Sequence, residues 1–302
     1  MDPLERYRPI IDDFDAFRTA CDRPPTRTVR VHTTTVSPDR VIDALAEAGI
    51  AARPLPWSET VLEVDTSSPG RTLPSFLGWM QSLDAASCLP APLLDIGPGD
   101  RVWDTCAAPG GKTGHIVDLL GDRGLVYATD DNLGRLASLR FNTERLGATC
   151  VAVEHADARR ITLDELGIDQ VDATLVDAPC SCEGTIRKSP DVLKSWDLDN
   201  IETLSNVQRA ILSRAVEVTR EGGRVVYATC TFAPEENEAV VDDVLEEHNV
   251  GIESVELPVE TAPGITEWDG DTFDGSLGRA RRVYPHLSET GGFFIAVMRV
   301  GA

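Results

Sequence analysis

The chain is almost without lysine. Only Lys112, Lys188 and Lys194 stand among its 28 basic residues, and these face 50 acids, for a formal net charge of -22. It also lacks any CxxC pair. Its seven cysteines, Cys21, Cys88, Cys106, Cys150, Cys180, Cys182 and Cys230, are odd in number, which argues against a zinc ribbon or a disulfide framework and leaves no metal site expected. No apolar run approaches the ~18 residues of a membrane span, and the N-terminal residues carry early acids in place of a continuous apolar stretch. A cytoplasmic protein with reduced thiols is expected, with neither membrane helix nor secretory leader. Internal repeats and low-complexity tracts are absent as well.

What is present suits a soluble globular protein: 302 residues, 42% hydrophobic and 26% charged, enough for a large domain with a smaller companion. The acids are mainly short, 29 Asp to 21 Glu. An excess of short carboxylates keeps a surface hydrated in concentrated salt, where self-repulsion is screened, so a halophilic host is expected.

Along the chain, residues 1–85 read as a small α+β domain. A helix is predicted near Tyr7–Arg18, a strand around Val29 and Val31, a helix from Ser37-Pro38 to Ala48 and a strand over Val61–Val64. Ser82–Leu94 reads as a helix broken by Pro90 and Pro92. From Asp100 on, strands and helices alternate, so residues 86–302 are expected to form an α/β doubly wound, Rossmann-like sheet. Predicted strands cover 101–104, 125–129, 150–154, 172–176, 224–228 and 293–298, with helices over 112–120, 135–146, 201–219 and 234–248. Thr261–Pro285 shows no periodicity and is expected to be an inserted loop.

Several strand ends carry chemistry. The first leads into Asp104-Thr105-Cys106-Ala107-Ala108-Pro109-Gly110-Gly111-Lys112, small residues and paired glycines before a helix, where backbone can approach a ligand closely. A P-loop would need Gly at position 106, which is Cys. Asp130, 20 residues after Gly110 at the end of the second strand, is placed to grip ribose hydroxyls, so a nucleoside-containing cofactor is indicated. Taken alone, the segment also allows glycines that only turn the chain and an Asp130 that only caps a helix. Asp157 follows the third strand, where a turn or cap role is equally open. The fourth strand ends in Asp177-Ala178-Pro179-Cys180-Ser181-Cys182 and the next in Thr229-Cys230-Thr231. In a doubly wound sheet such ends converge on one crevice, so Cys180 and Cys230 are expected to face one substrate, with inert core thiols as the alternative. Two thiols beside a nucleoside cofactor suit methylation of a pyrimidine at carbon 5. A thiolate adding at carbon 6 makes carbon 5 nucleophilic, and a base must later remove the carbon-5 proton.

Together, and in this order, these motifs resemble the Sun family of RNA cytosine carbon-5 methyltransferases, over a stretch from Phe76–Pro92 to Gly291-Gly292-Phe293-Phe294. The resemblance implies an S-adenosylmethionine (S-adenosyl-L-methionine) site lined by Cys106, Ala107, Ala108, Pro109, Gly110, Gly111 and Lys112, with Asp130 on the ribose, Asp157 beside the adenine and Asp177 facing both cofactor and target base. It implies Cys230 as nucleophile and Cys180 as the cysteine that helps release product. Two departures stand out: Cys182 and Ala156 occupy positions where the family usually has Gly or Ala and Gly. Cys182 is expected to point into packing. The Glu183-Gly184-Thr185 continuation is similar to archaeal members. The implied substrate is RNA, transfer RNA ahead of ribosomal RNA, with no obligate protein partner. Because the net charge opposes phosphate binding, local basic groups are required, and Arg187, Lys188, Arg281 and Arg282 are the RNA-contact candidates, with Lys194, Arg279, Arg23, Arg27 and Arg30 behind them. A non-catalytic RNA-binding or ribosome-assembly factor on the same fold is the alternative from another class. An NAD-dependent oxidoreductase would leave both cysteine motifs without a role.

Overall fold

Asp2 opens the fold by capping a 3-10 turn, its carboxylate accepting the Leu4 N–H at 3.0 Å. The computed structural model describes residues 2–164 and 167–302. The helix predicted near Tyr7–Arg18 is split: a 3-10 helix covers Pro3–Ile10 and α1 covers Phe14–Cys21, capped by Asp13. Pro9, which lacks an N–H, lies in the last turn of the first piece.

The chain then forms β1 (Thr28–Val31), α2 (Pro38–Glu47), β2 (Ala52–Leu55), β3 (Ser58–Val64), α3 (Leu73–Phe76) and β4 (Met80–Ser82). These strands make a four-stranded sheet in the order β2-β3-β1-β4, antiparallel throughout. Val29, Val31, Leu62, Val64 and Met80 pack there against Val41 and Leu45 of α2. The sequence reading omitted β2, whose Arg53 and Pro54 break the apolar alternation; an edge strand tolerates that proline. Ser82–Leu94 holds only two 3-10 turns, Ala86–Cys88 and Ala91–Leu94, as Pro90 and Pro92 forbid a continuous helix.

Next come β5 (Arg101–Asp104), α4 (Gly111–Leu120), β6 (Leu125–Asp130), α5 (Leu133–Leu146), β7 (Val151–His155) and β8 (Val171–Asp177). Strands β5, β6, β7 and β8 pair in parallel in the order β7-β6-β5-β8, with α4 and α5 as crossovers. This is the expected Rossmann-like α/β pattern. Beyond it lie α6 (Leu198–Val218), β9 (Thr219–Thr229), α7 (Glu238–Glu247) and β10 (Val250–Ile252). The stretch expected as a loop contains short strands β11 (Ala262–Pro263), β12 (Glu267–Trp268), β13 (Asp271–Thr272) and β14 (Arg281–Val283), followed by α8 (Pro285–Ser288) and β15 (Phe293–Val300). Strand β15 pairs antiparallel with β9, β14 and β10.

The chain divides into two compact units, residues 26–175 and residues 1–25 with 176–302; the division falls inside β8. In the second of these, α1 and the preceding turn supply Leu4, Tyr7, Phe14 and Phe17 to a core shared with Ile186, Phe232 and Tyr284. Phe17 meets Phe232 edge-on at 5.1 Å and 81°. Burying each such side chain stabilises the fold by about 1.5–3 kcal/mol.

Candidate active site

In the unit of residues 26–175, the loop after β5 is held by its own backbone. Ala107 N–H donates to Thr129 O at 2.8 Å, Thr129 Oγ1 donates to Thr105 O at 2.8 Å, and Thr113 Oγ1 donates to the buried Asp104 at 2.7 Å. Asn142 and Arg135 donate to the carbonyls of Pro109 and Ala108. Gly110 sits at φ 99 and precedes α4 without a side-chain cap. A side chain at Gly110 would be strained there, and its Cβ would press on Leu139 at 3.0 Å. Cys106, Ala107, Ala108, Pro109, Gly110, Gly111 and Lys112 thus form one tight turn. Cys106 and Lys112 are half-buried within it.

Asp130 ends β6 and is 2% exposed. Its Oδ2 accepts Ala108 N–H at 3.1 Å and lies 3.3 Å from Arg135, while Oδ1 accepts Asn132 N–H at 3.1 Å. Asp157 caps its own turn and grips Arg159 through two bonds of 2.8 Å, which together hold its carboxyl below the usual range. An uncapped helix start, a glycine-built turn and an acid at the neighbouring strand end fit a cofactor that carries a nucleoside.

The other unit holds the thiols. Cys180 and Cys230 lie with sulfurs 3.4 Å apart, a thiol contact and not a disulfide. Cys182 does not point into packing: its sulfur joins the other two, all three within 4.8 Å of one another, and approaches the Cys180 carbonyl at 3.2 Å. The reason is its backbone, which is left-handed at φ 60. That conformation costs a residue with a Cβ roughly 1–2 kcal/mol. The thiols of Cys180 and Cys230 are both pushed well up. For Cys180 the contacts with Cys182 and Cys230 lead and burial adds to them. For Cys230 the contact with Cys180 pulls down, but Cys182, burial and the charge of Asp177 outweigh it. Both rest as neutral thiols. Asp177, half-buried at the end of β8, therefore stands within electrostatic reach of Cys230.

Two buried carboxylates that sequence reasoning missed lace these loops together. Glu236 Oε2 accepts Ser181 N–H at 2.9 Å and Gln208 Nε2 at 2.8 Å, and Gln208 also donates to Pro179 O at 2.7 Å. Burial pushes the Glu236 carboxyl up to about 7, against the pull of those donors. Glu183 accepts Tyr7 Oη at 2.7 Å, Thr231 Oγ1 at 3.0 Å, Phe232 N–H at 3.1 Å and the Trp196 indole. Gly184 donates its N–H to Cys230 O at 2.9 Å, and a Cβ there would meet Gly292 O at 2.2 Å, so only glycine fits. The Glu-Gly pair after Cys182 was the sole sequence signal for this brace.

The basic candidates separate. Arg187 is 5% exposed and donates to Arg23 O at 3.0 Å and Thr290 O at 2.9 Å. Arg282 is 2% exposed and donates to Glu238 at 2.7 Å and Phe232 O at 2.9 Å. Both are interior braces and not RNA-facing groups, because the chain's abundant acids and carbonyls take up their guanidinium donors. Arg30 is likewise buried, 2.5 Å from Asp118. Lys188 is exposed and Arg281 half-buried.

Comparison with known proteins bears on the same residues. The family model described as 16S rRNA methyltransferase RsmB/F matches residues 91–299, and one described as Methyltr_RsmF/B-like, ferredoxin-like domain matches residues 9–69. Ribosomal RNA small subunit methyltransferase F of an Escherichia coli O1:K1 strain is 34% identical over 98% of this chain and 61% of its own length. Its counterpart in Erwinia tasmaniensis is 33% identical over 99% of this chain and 62% of its own. The chain thus spans about three fifths of the length of these curated relatives. A methyltransferase homolog protein from Pyrococcus horikoshii superimposes with TM-score 0.85 at 31% identity, covering 98% of this chain and 93% of that one.

Proposed function

The chain belongs to the RsmB/F methyltransferase family, whose methyl donor is S-adenosylmethionine, and on that premise we propose that it methylates carbon 5 of a cytosine in RNA. The observation that carries this reading is the pair of thiols, Cys180 and Cys230, 3.4 Å apart on two separately braced loops. S-adenosylmethionine supplies an electrophilic methyl group. The Cys106–Lys112 turn, Asp130 and Asp157 would hold it, and Asp177 would bind at the cytosine ring edge.

In this reading the Cys230 proton passes to water and the sulfur would bond to ring carbon 6, displacing the ring electrons toward carbon 5, which would take the electrophilic methyl group. Removal of the carbon-5 proton returns an electron pair to the ring and breaks the bond to sulfur. Cys180, in contact with the leaving sulfur, assists that release. Both thiols rest protonated, so the pair needs its proton removed on substrate binding and does not carry a standing thiolate.

For the substrate, the named relatives favour ribosomal RNA of the small subunit, and the transfer RNA preference expected from the sequence finds no support in them. We also propose residues 1–85 as an accessory domain, of which residues 1–25 fold into the core with Ile186, Phe232 and Tyr284, residues 86–302 as the catalytic domain, Lys188 and Arg281 as RNA contacts, and a cytoplasmic setting. No helix among the described residues is long and apolar enough to cross a membrane. The halophilic, archaeal origin rests on composition and on the Glu183-Gly184-Thr185 stretch; an unfolding midpoint that does not rise between low and molar KCl would remove its halophilic half.

The deciding experiment incubates the purified chain and S-adenosylmethionine with small-subunit ribosomal RNA or with transfer RNA, and sequences each after bisulfite treatment. A single protected cytosine in the ribosomal RNA establishes reaction and substrate together. Protection only in transfer RNA reverses the substrate, and none in either favours the non-catalytic RNA-binding factor.

A further inference from the structure

We propose that Cys180, Cys182 and Cys230 form a three-thiolate site for a thiophilic divalent cation of the zinc class, and that its occupancy switches methyl transfer off. The three sulfurs lie within 4.8 Å of one another, the closest pair at 3.4 Å. A tetrahedral ion with metal–sulfur bonds of about 2.3 Å sets its sulfurs roughly 3.8 Å apart, inside that range. Small side-chain adjustments therefore bring all three into coordination, with a fourth position left for water.

The second observation is Cys182 itself. At φ 60 it occupies a backbone conformation that glycine adopts without strain, and that same conformation carries its sulfur to the Cys180 carbonyl and into the cluster. The sulfurs are also held by groups that are not sulfur. Ser181, between Cys180 and Cys182, gives its N–H to Glu236 at 2.9 Å and shares a 2.7 Å hydroxyl contact with Thr231, and Gly184 N–H anchors Cys230 O at 2.9 Å. Backbone bracing of this kind preorganises a metal site. Asp177, whose charge already bears on Cys230, adds attraction for a cation.

Binding balances as one divalent cation taken up and three thiol protons released, which leaves the site with one net negative charge. The sulfur lone pairs of Cys180 and Cys230 are then committed to the ion. Metal binding stands on the geometry alone; the loss of methyl transfer rests on the function proposed above.

The test titrates the intact, phosphine-reduced chain with Cd2+ and follows thiolate-to-metal charge-transfer absorption, with Zn2+ as competitor. We expect one ion per chain and an absorbance corresponding to three thiolates. Cys182→Gly, which relieves the backbone, should lose one third of that absorbance and weaken binding by at least the ~10–100-fold that loss of an outer-shell partner costs. With each protein measured against its own metal-free rate of methyl transfer, Cys182→Gly should need at least tenfold more Zn2+ than the parent for half-inhibition. A spectrum unchanged by Cys182→Gly, or no charge-transfer band, overturns the site. Equal Zn2+ sensitivity in both proteins overturns the switch. A chain inactive without metal overturns the methyltransferase reading and the switch built on it, while the absorbance still decides the site.

Discussion

Glu236 holds the N–H of Ser181 at 2.9 Å, so a carboxyl that burial pushes up to about 7 supports the loop between two of the three clustered thiols. Its pKa is raised by burial. Its contribution to stability is therefore full below the unfolded value near ~4.3 and is lost as pH rises through about 7. Glu236→Gln keeps an oxygen for Ser181 and removes the titration. Relative to the parent, this variant should gain on the order of 3 kcal/mol between pH 4.5 and 7.5 in urea unfolding. A difference that stays flat across that range would show Glu236 titrating normally.

The two thiols in contact should respond asymmetrically. Cys230→Ala should abolish methyl transfer, a loss of at least ~10³-fold for a covalent nucleophile. Cys180→Ala should instead leave RNA covalently attached through Cys230, seen as a shifted band on denaturing gels. Turnover surviving in Cys230→Ala would falsify the assignment.

Arg282 and Lys188 test how interior and surface bases differ. Arg282→Ala leaves Glu238 buried without its partner and should cost about 3–5 kcal/mol in chemical denaturation. Lys188→Ala should leave stability within about 0.5 kcal/mol while weakening RNA binding across sequences and lowering its salt dependence. Equal effects of the two on stability would contradict the burial difference.

Asp118 on α4 ties Arg30 at 2.5 Å, His32 at 3.3 Å and both donors of Thr34, which together hold its carboxyl far below the usual range despite burial. A depressed acid stabilises above the unfolded value near ~3.9 and loses that contribution as pH falls further. Asp118→Asn should therefore cost about 3–5 kcal/mol at pH 7, with the deficit narrowing below pH 4. A deficit independent of pH would remove the ion pair as its cause.

Much of this protein was legible locally. The Cys106–Lys112 turn, the acids ending β6 and β8 and following β7, and the cysteines after Pro179 and Thr229 are short motifs at strand ends, and the alternation of strand and helix periods announces where strands end. Periodicity fails where no alternation exists, as at β2 with Arg53 and Pro54 or over Thr261–Pro285. Tertiary structure alone decided the rest. Tyr7 meets Glu183 across 176 positions and Arg282 meets Glu238 across 44. An arginine's own neighbours in sequence do not say whether its donors will meet water, phosphate or a buried carboxylate. Likewise Cys182 stands as a third thiol of the cluster on a left-handed backbone, a conformation that a residue with a Cβ does not prefer by itself.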